Sequence, residues 1–122
     1  MFINFTNHTV SAWSDKQREE AEQYGEIAEI HFPNVSPYDS ADDIKLLADN
    51  YVLQIVSLLP DNEENAVLCQ GEFSLCVAVI EKLKSRNIKV LCACSKRQVI
   101  EEFDGEKNIK KSEFHFVGFR EM

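Results

Sequence analysis

Three short polar segments carry the side chains best suited to chemistry on a phosphorylated ligand. Asn7-His8 offers an amide and an imidazole that can give or take a proton near neutral pH. Gln70-Gly71-Glu72-Phe73 adds a second amide and a glycine that lets backbone N–H groups approach a phosphate at the start of a helix. Ser95-Lys96-Arg97 adds a hydroxyl and two cations. Together they predict an anion-binding site with a proton-transfer group.

Each of these residues also has a purely structural explanation. Gly71 fits simple turn chemistry, and Glu72 can neutralise the positive end of the helix by itself. Asn7-His8 fits a loop-capping pair, and Lys96-Arg97 fits solvated surface charge. For Phe73 we favour a core position over a surface on which a base could stack.

Familiar cofactor motifs are missing from the chain. It contains no GxxxxGK[ST] phosphate loop, no GxGxxG dinucleotide fingerprint and no serine nucleophile elbow. Its cysteines, at positions 69, 76, 92 and 94, lack the Cys-x-x-Cys spacing of a zinc or redox pair. We therefore expect buried thiols, no cofactor and no metal site.

The charge of the chain argues against broad binding to nucleic acid. With 13 basic and 21 acidic residues among 122, the formal net charge is −8, which repels duplex DNA or RNA. The N-terminal stretch Met1-Phe2-Ile3-Asn4-Phe5 is too short and lacks the basic residues for a signal peptide or membrane helix. We expect a cytoplasmic protein with no membrane partner.

The three polar segments follow stretches that have strand character. Apolar patterns predict strands at 2–6, 26–32, 66–70 and 88–94. Helices are predicted between them: from an N-cap at Ser14 to Gly25, from Ile44 to Pro60, and from Phe73 to Ser85, closed by Asn87. After Gln98, the runs 99–103 and 109–119 around Asp104-Gly105 predict a β-hairpin.

This order of elements predicts one α/β domain over residues 1–122. We expect a Rossmann-like, mostly parallel sheet with flanking helices and a C-terminal β-hairpin, because short helical crossovers favour parallel strands. Ligands of such sheets bind at the carboxyl ends of the strands. The loops Thr6-Asn7-His8, Gln70-Gly71-Glu72-Phe73 and Ser95-Lys96-Arg97 are therefore expected to meet there. The hairpin could extend the sheet, cover the site or pair with a second subunit.

In their order and spacing, the three segments and the closing Phe116-Val117-Gly118-Phe119-Arg120 resemble small CRISPR-associated ring nucleases. The resemblance spans nearly the whole chain and implies a CARF-related fold. It also implies degradation of cyclic oligoadenylates, the second messengers of type III CRISPR immunity, without a metal ion. A ribose 2′-hydroxyl would attack its own phosphate, leaving a linear product that ends in a 2′,3′-cyclic phosphate.

Under this interpretation, His8 transfers a proton while Lys96 and Arg97 neutralise charge on the phosphate. The expected substrate-binding residues are Thr6, Asn7, Gln70, Gly71, Glu72, Phe73 and Ser95. A homodimer is expected because a ring of identical nucleotides can share its two-fold symmetry. Two alternatives stay open: a sensor that binds the ring without cutting it, and an interaction protein that docks through its aromatic hairpin.

Overall fold

The computed structural model describes the backbone of residues 1–122 and every side chain except that of Asp104. Five strands form: β1 (Phe2–Phe5), β2 (Ile27–Glu29), β3 (Ala66–Cys69), β4 (Lys89–Asp104) and β5 (Lys107–Glu121). Three α-helices connect the first four strands: α1 (Asp15–Glu22), α2 (Ala41–Leu58) and α3 (Phe73–Ser85). A 3-10 helix at Val10–Ala12 precedes α1.

The strands form one sheet in the order β2-β1-β3-β4-β5. The first four are parallel, and β5 runs antiparallel to β4. The α/β class and the mostly parallel sheet predicted from the sequence are therefore confirmed. Within the sheet, β2 lies beside β1 in one direction and β3 lies beside β1 in the opposite direction. The direction of winding thus reverses between β1 and β3, the place where open α/β sheets bind ligands.

Helices cover both faces of the sheet because alternate strand residues point to opposite sides. Ile3, Phe5 and Val67 pack with α2 and α3 on one face. Phe2 and Leu68 pack on the other face with Trp13 and with Ala21 of α1. All four residues of β1 are buried, as expected for a central strand.

Several predicted helix ends are confirmed by their capping geometry. Ser14 accepts a hydrogen bond from the backbone N–H of Gln17 at the start of α1. Gly25 and Asn87 follow α1 and α3 with φ angles of 102° and 59°, the left-handed conformation that stops a helix. Helix α2 begins earlier than predicted, because Ser40 and Asp43 exchange hydrogen bonds in a full capping box.

Strand β2 is shorter than the predicted run of residues 26–32. Its ladder with β1 covers only Ile27–Glu29. The chain nevertheless stays alongside β1, since the N–H groups of Ile30 and Phe32 donate to the carbonyls of Asn4 and Thr6. Phe32 then enters the core and packs on Phe5 with ring centroids 4.8 Å apart.

The prediction that Ser95-Lys96-Arg97 forms a loop is wrong. These residues lie inside β4, which runs without a break to Asp104, and only a register shift between Cys94 and Ser95 interrupts its pairing. The strand continues because β5 supplies hydrogen-bond partners from Leu91 to Asp104, far beyond the point where β3 ends. The predicted hairpin is confirmed, with Gly105 in its turn at φ 62°.

Residues 96–115 form a two-stranded ribbon that we call the arm. Its strands pair with each other beyond Leu91, the last partner of β3 in the ladder. Nearly all its described side chains are exposed. Five basic and five acidic residues cancel within it, so the formal charge of −8 belongs to the rest of the chain.

Gly71 is required by packing against Phe32. A Cβ atom at this position would lie 2.5 Å from Cε1 of the Phe32 ring, a separation that no relaxed structure tolerates. The aromatic ring therefore fills the space that the sequence analysis assigned to an approaching ligand. Packing against Phe32 therefore explains the glycine, and neither turn chemistry nor ligand approach is needed.

We predict that Gly71→Ala destabilises the protein by about 1–3 kcal/mol, because the new methyl group overpacks against Phe32. Gly118→Ala is the matched control, since its Cβ would meet only Glu20 Oε2 at 3.8 Å. Urea denaturation measures both variants. Adding Phe32→Leu to Gly71→Ala should cost less than the sum of the two single changes. Additive losses, or a Gly71→Ala protein of unchanged stability, would contradict the packing explanation.

Candidate functional site

A cleft of about 360 Å³ lies on the α1 face of the sheet, at the carboxyl ends of β1 and β3. We call it the strand-end cleft. It is lined by Thr6, His8, Ala12, Trp13, Gln17, Leu68, Gln70, Ala93, Ser95 and Phe114. Four of the residues predicted from the sequence, Thr6, His8, Gln70 and Ser95, thus meet in one place, and that place is where the winding reverses.

The backbone of His8 is held from both sides by two buried polar side chains. Its N–H donates to Thr6 Oγ1 over 3.1 Å, and its carbonyl accepts from Asn4 Nδ2 over 2.8 Å. Thr6 Oγ1 also lies 2.8 Å from Asn4 Oδ1, to which it donates. Asn4 is only 2% exposed, so these bonds form away from water, where an unpaired amide would be costly. The His8 loop is consequently fixed while its imidazole stays exposed.

Asn4 supports the candidate site and was missed by sequence reasoning. It sits in the middle of the apolar run Phe2–Phe5, where it counted only as part of a buried strand. The available signal was a polar residue inside an apolar run. If that run is a buried strand, the polar side chain needs a hydrogen-bond partner. Thr6, predicted as a ligand contact, lines the cleft but also has this supporting role. Asn7 is exposed beside it and does not line the cleft.

Gln70 links the chain just after β3 to the neighbouring strand β4. Its Oε1 accepts the N–H of Ala93 over 3.1 Å, just beyond the last ladder pair of β3 and β4. This bond uses the carbonyl oxygen of the amide and leaves the two N–H donors of Nε2 for a ligand. Gln70 is therefore both a structural cap and a candidate hydrogen-bond donor in the cleft.

The start of α3 is occupied by a carboxylate of the chain itself. Glu72 accepts hydrogen bonds from the N–H groups of Ser74 at 3.1 Å and Leu75 at 2.8 Å, and from Ser74 Oγ. The side-chain bond from Ser74 and then the backbone bond from Leu75 lower the pKa of Glu72. A phosphate at this helix end would meet negative charge, so the structural explanation of Glu72 is favoured over the predicted contact.

Phe73 is not a core residue, and that part of the prediction is wrong. It is the first residue of α3, and 82% of its surface is exposed. Neither Phe73 nor Glu72 or Gly71 lines the strand-end cleft. Of the segment Gln70-Gly71-Glu72-Phe73, only Gln70 reaches it.

Lys96 and Arg97 cannot both face the cleft, because neighbouring residues of a strand point to opposite sides of the sheet. Arg97 does not line the cleft, but it shares a face of β4 with Ser95 and pairs in register with Phe114, which both line it. Its guanidinium bonds Ser112 Oγ at 3.0 and 3.2 Å. Lys96 is on the other face, in register with His115. Within one copy of the chain, only Arg97 of the two predicted cations is therefore on the cleft side of β4.

Six of the ten lining residues were not identified as site residues from the sequence, and three of them carry large polar or aromatic side chains. Trp13 and Gln17 come from the α1 region, and Phe114 comes from β5. Trp13 packs edge-on against Phe2 with centroids 5.9 Å apart, so one side of the cleft is built on the core. Phe114 is 69% exposed and presents an open aromatic ring at the mouth of the cleft. Their positions depend on how α1 and β5 pack, which no local spacing encodes.

A second cavity, of about 400 Å³, lies between α2 and α3. Its lining includes Lys82, Ser85 and Arg86, which belong to the C-terminal end of α3 and lie away from the carboxyl ends of the strands. The Lys82 ammonium pairs with Asp49 over 2.5 Å across it. This is a groove between two packed helices, whereas the strand-end cleft gathers polar side chains from four separate parts of the chain.

Among the described side chains, no group of three or more His, Cys, Asp or Glu residues is placed to hold a metal ion. Within the described part of the chain, no helix has the length and apolar character needed to cross a bilayer.

Comparison with known proteins identifies a family but no characterised relative. A family model described as "Uncharacterized protein MJ1673 family" matches residues 1–120, so the chain belongs to that family. No curated protein and no solved structure matches the chain significantly.

We predict that Asn4→Leu destabilises the protein by roughly 1–3 kcal/mol, because Thr6 and the His8 carbonyl lose a buried partner. It should also speed hydrogen exchange at the His8 amide. Asn4→Asp keeps an acceptor for Thr6 but cannot donate to His8, so it should speed the same exchange. Asn7→Ala, at an exposed neighbouring position, is the control and should change stability by about 0.5 kcal/mol or less. Unchanged exchange at His8 in both Asn4 variants would show that Asn4 does not hold the loop.

Proposed function

We propose that this protein binds a cyclic oligoadenylate in the strand-end cleft and opens the ring without a metal ion. The observation that carries the proposal is the position of His8. Its backbone is fixed by Asn4 and Thr6, and the residue lines a cleft at the point where the winding reverses. The resemblance to small CRISPR-associated ring nucleases supports the same substrate. Because such messengers arise in the cytoplasm, we place the protein there.

The other cleft residues supply contacts that suit a nucleotide. The exposed ring of Phe114 offers a face on which adenine can stack. The amide of Gln17 and the free Nε2 of Gln70 can bond base edges or ribose hydroxyls. Ser95 can donate its hydroxyl to a phosphate oxygen, and Arg97 is a cation on the same face of β4.

The proposed reaction is an internal transfer of phosphate that consumes no water. The ribose O2′ attacks the neighbouring phosphorus as the imidazole of His8 accepts the hydroxyl proton. The bond from phosphorus to O5′ of the next nucleotide breaks, and O5′ takes a proton from the resulting imidazolium. The product is linear, with a 2′,3′-cyclic phosphate at one end and a 5′-hydroxyl at the other. Arg97 offsets charge that develops on the phosphate.

Lys96 has no role in the cleft of its own chain under this proposal, because its side chain leaves from the other face of β4. Positioning of the ring does most of the catalysis, since the nucleophile and the phosphate belong to the same molecule. The contacts of the cleft must therefore bend one phosphodiester linkage until O2′, phosphorus and O5′ are in line. A fixed His8 backbone favours that geometry.

A sensor that binds the ring without cutting it is the second candidate. One observation favours it. A proton-transfer histidine is usually oriented by a hydrogen bond to another side chain, and among the described side chains none bonds the His8 imidazole. Binding with no product is the outcome that separates this candidate from a nuclease.

We also propose that the working form is a homodimer. A cleft of about 360 Å³ is near the lower end of the range for small-ligand sites, so one copy covers only part of a tetra- or hexa-adenylate ring. The arm is electrically neutral, so two arms can approach without the repulsion of the acidic remainder. Val99, Phe103 and Phe114 expose apolar surface on the face of the arm that continues the cleft.

We predict that His8→Ala lowers the rate of ring opening by about 100-fold or more, the usual loss when a proton-transfer group is removed. The assay mixes purified protein with cyclic tri-, tetra- or hexa-adenylate in excess chelator and separates the products by chromatography. Arg97→Ala should also slow cleavage, whereas Lys96→Ala should not.

His115→Ala is the matched control, because His115 is exposed on the other face of the arm. Cleavage by His8→Ala at the unaltered rate would contradict the proposed role of His8. Tight binding of a ring without any product from the unaltered protein would replace the nuclease with the sensor, and absence of binding would contradict both.

We predict that multi-angle light scattering at micromolar concentration gives twice the 14.0 kDa mass of one chain. Phe103→Glu should shift the protein toward the monomer, because it places a charge at an apolar position of the arm that is 77% exposed. Phe73→Glu changes a similarly exposed aromatic residue outside the arm and is the control. A monomer that still cleaves the ring would contradict the dimer proposal while leaving the cleft assignment intact.

A further inference from the structure

Two cysteines meet behind the floor of the strand-end cleft. Cys69 is the last residue of β3, and Cys76 lies in the first turns of α3. Their sulfur atoms are 3.9 Å apart. Both side chains are buried, with 3% and 8% of their surface exposed. The short connection through Gln70, Gly71 and Glu72 brings the pair together.

The two thiols are not equivalent. The Cys69 thiol donates toward the Cys76 sulfur, and this bond, with a further one from the backbone of Gly71, lowers the pKa of Cys76 against the opposing effect of burial. The same contact and burial raise the pKa of Cys69. Cys76 is thus the sulfur better able to become a thiolate, which is the reactive form. Cys69 is placed as its partner.

We propose that Cys69 and Cys76 are a peroxide-sensitive pair that closes to an intramolecular disulfide. The Cys76 thiolate attacks one oxygen of the peroxide, the O–O bond breaks, and Cys76 becomes a sulfenic acid as hydroxide leaves and takes a proton to form water. The Cys69 sulfur then attacks the Cys76 sulfur, and a second water leaves. Two thiols are oxidised by two electrons, and one hydrogen peroxide is reduced to two waters.

Closing the bond would affect the cleft. The sulfurs must move from 3.9 Å to a bonded distance of about 2.05 Å, which draws the end of β3 and the start of α3 together. Gln70 lies within the closed segment, and its Oε1 holds the N–H of Ala93 at the cleft floor. Oxidation would therefore stiffen the segment that presents Gln70. This inference does not depend on the proposed function, because it concerns thiols that the cleft chemistry does not use.

Cys92 and Cys94 provide an internal comparison. They are separated by one residue in β4 and are only half-buried. Burial, followed by the neighbouring Cys94, raises the pKa of Cys92, which disfavours its thiolate. Residues two apart in an extended strand have Cα atoms roughly 6.6–7 Å apart, at the upper limit for a disulfide. This pair should remain reduced when Cys69 and Cys76 react.

The test treats the reduced, full-length protein with a graded excess of hydrogen peroxide, then alkylates free thiols and maps the peptides by mass spectrometry. We expect a Cys69–Cys76 cross-link with a loss of two hydrogens, alkylated Cys92 and Cys94, and a rise in Tm of about 5 °C or more that thiol reductant reverses. The double variant Cys92→Ser/Cys94→Ser should give the same cross-link.

Cys69→Ser should instead leave a sulfenic acid on Cys76 that dimedone traps, because the partner thiol is missing. Glutathione at an equal concentration in the same tube is the control that shows the peroxide to be active. If the peroxide oxidises the glutathione while Cys69 and Cys76 are both still alkylated, the proposal is overturned. A cross-link that joins Cys92 and Cys94 in their place would overturn it as well.

Discussion

The hydrogen bonds between buried Asn4, Thr6 and the His8 backbone are the interaction on which the candidate site depends. β1 is an interior strand of the sheet, and the winding reverses between it and β3, so the chain that leaves β1 opens directly into the strand-end cleft. An apolar residue in place of Asn4 would fill the core equally well but would leave the following loop unsupported. The polar pair converts a strand end into a fixed position for an imidazole.

The sequence was sufficient for the parallel core of the fold. The apolar runs around Ile3, Val67 and Val90 predicted buried strands, and the helical spacing from Ile44 to Leu59 predicted α2. These patterns are local, and an apolar run that is buried on both faces is compatible with few structures other than a parallel strand. Parallel strands then bring the loops after β1 and β3 to one edge, which is why Thr6, His8 and Gln70 were predicted together correctly.

The rest depended on long-range pairing that the sequence does not show. β5 extends β4 to 16 residues, and this extension turned an expected loop into a strand that separates Lys96 from Arg97. Phe32 occupies the space beside Gly71, and the Glu72 carboxylate occupies the N-terminal end of α3. Gly71 and Glu72 therefore do not have the ligand-binding positions expected of them. Trp13, Gln17 and Phe114 reach the cleft only through the packing of α1 and β5. Each outcome was set by a partner distant in sequence.

The central claim is that the strand-end cleft is the ligand site of this domain, and an NMR titration tests it most directly. Uniformly ¹⁵N-labelled protein would be titrated with cyclic tetra-adenylate in chelator, using His8→Ala to slow turnover. We predict saturable shifts of the amides of Thr6, Gln70 and Ala93, with Ser85 and Arg86 beside the α2–α3 groove unchanged. Shifts confined to Ser85, Arg86 and their neighbours, or no shifts at millimolar ring, would contradict the claim.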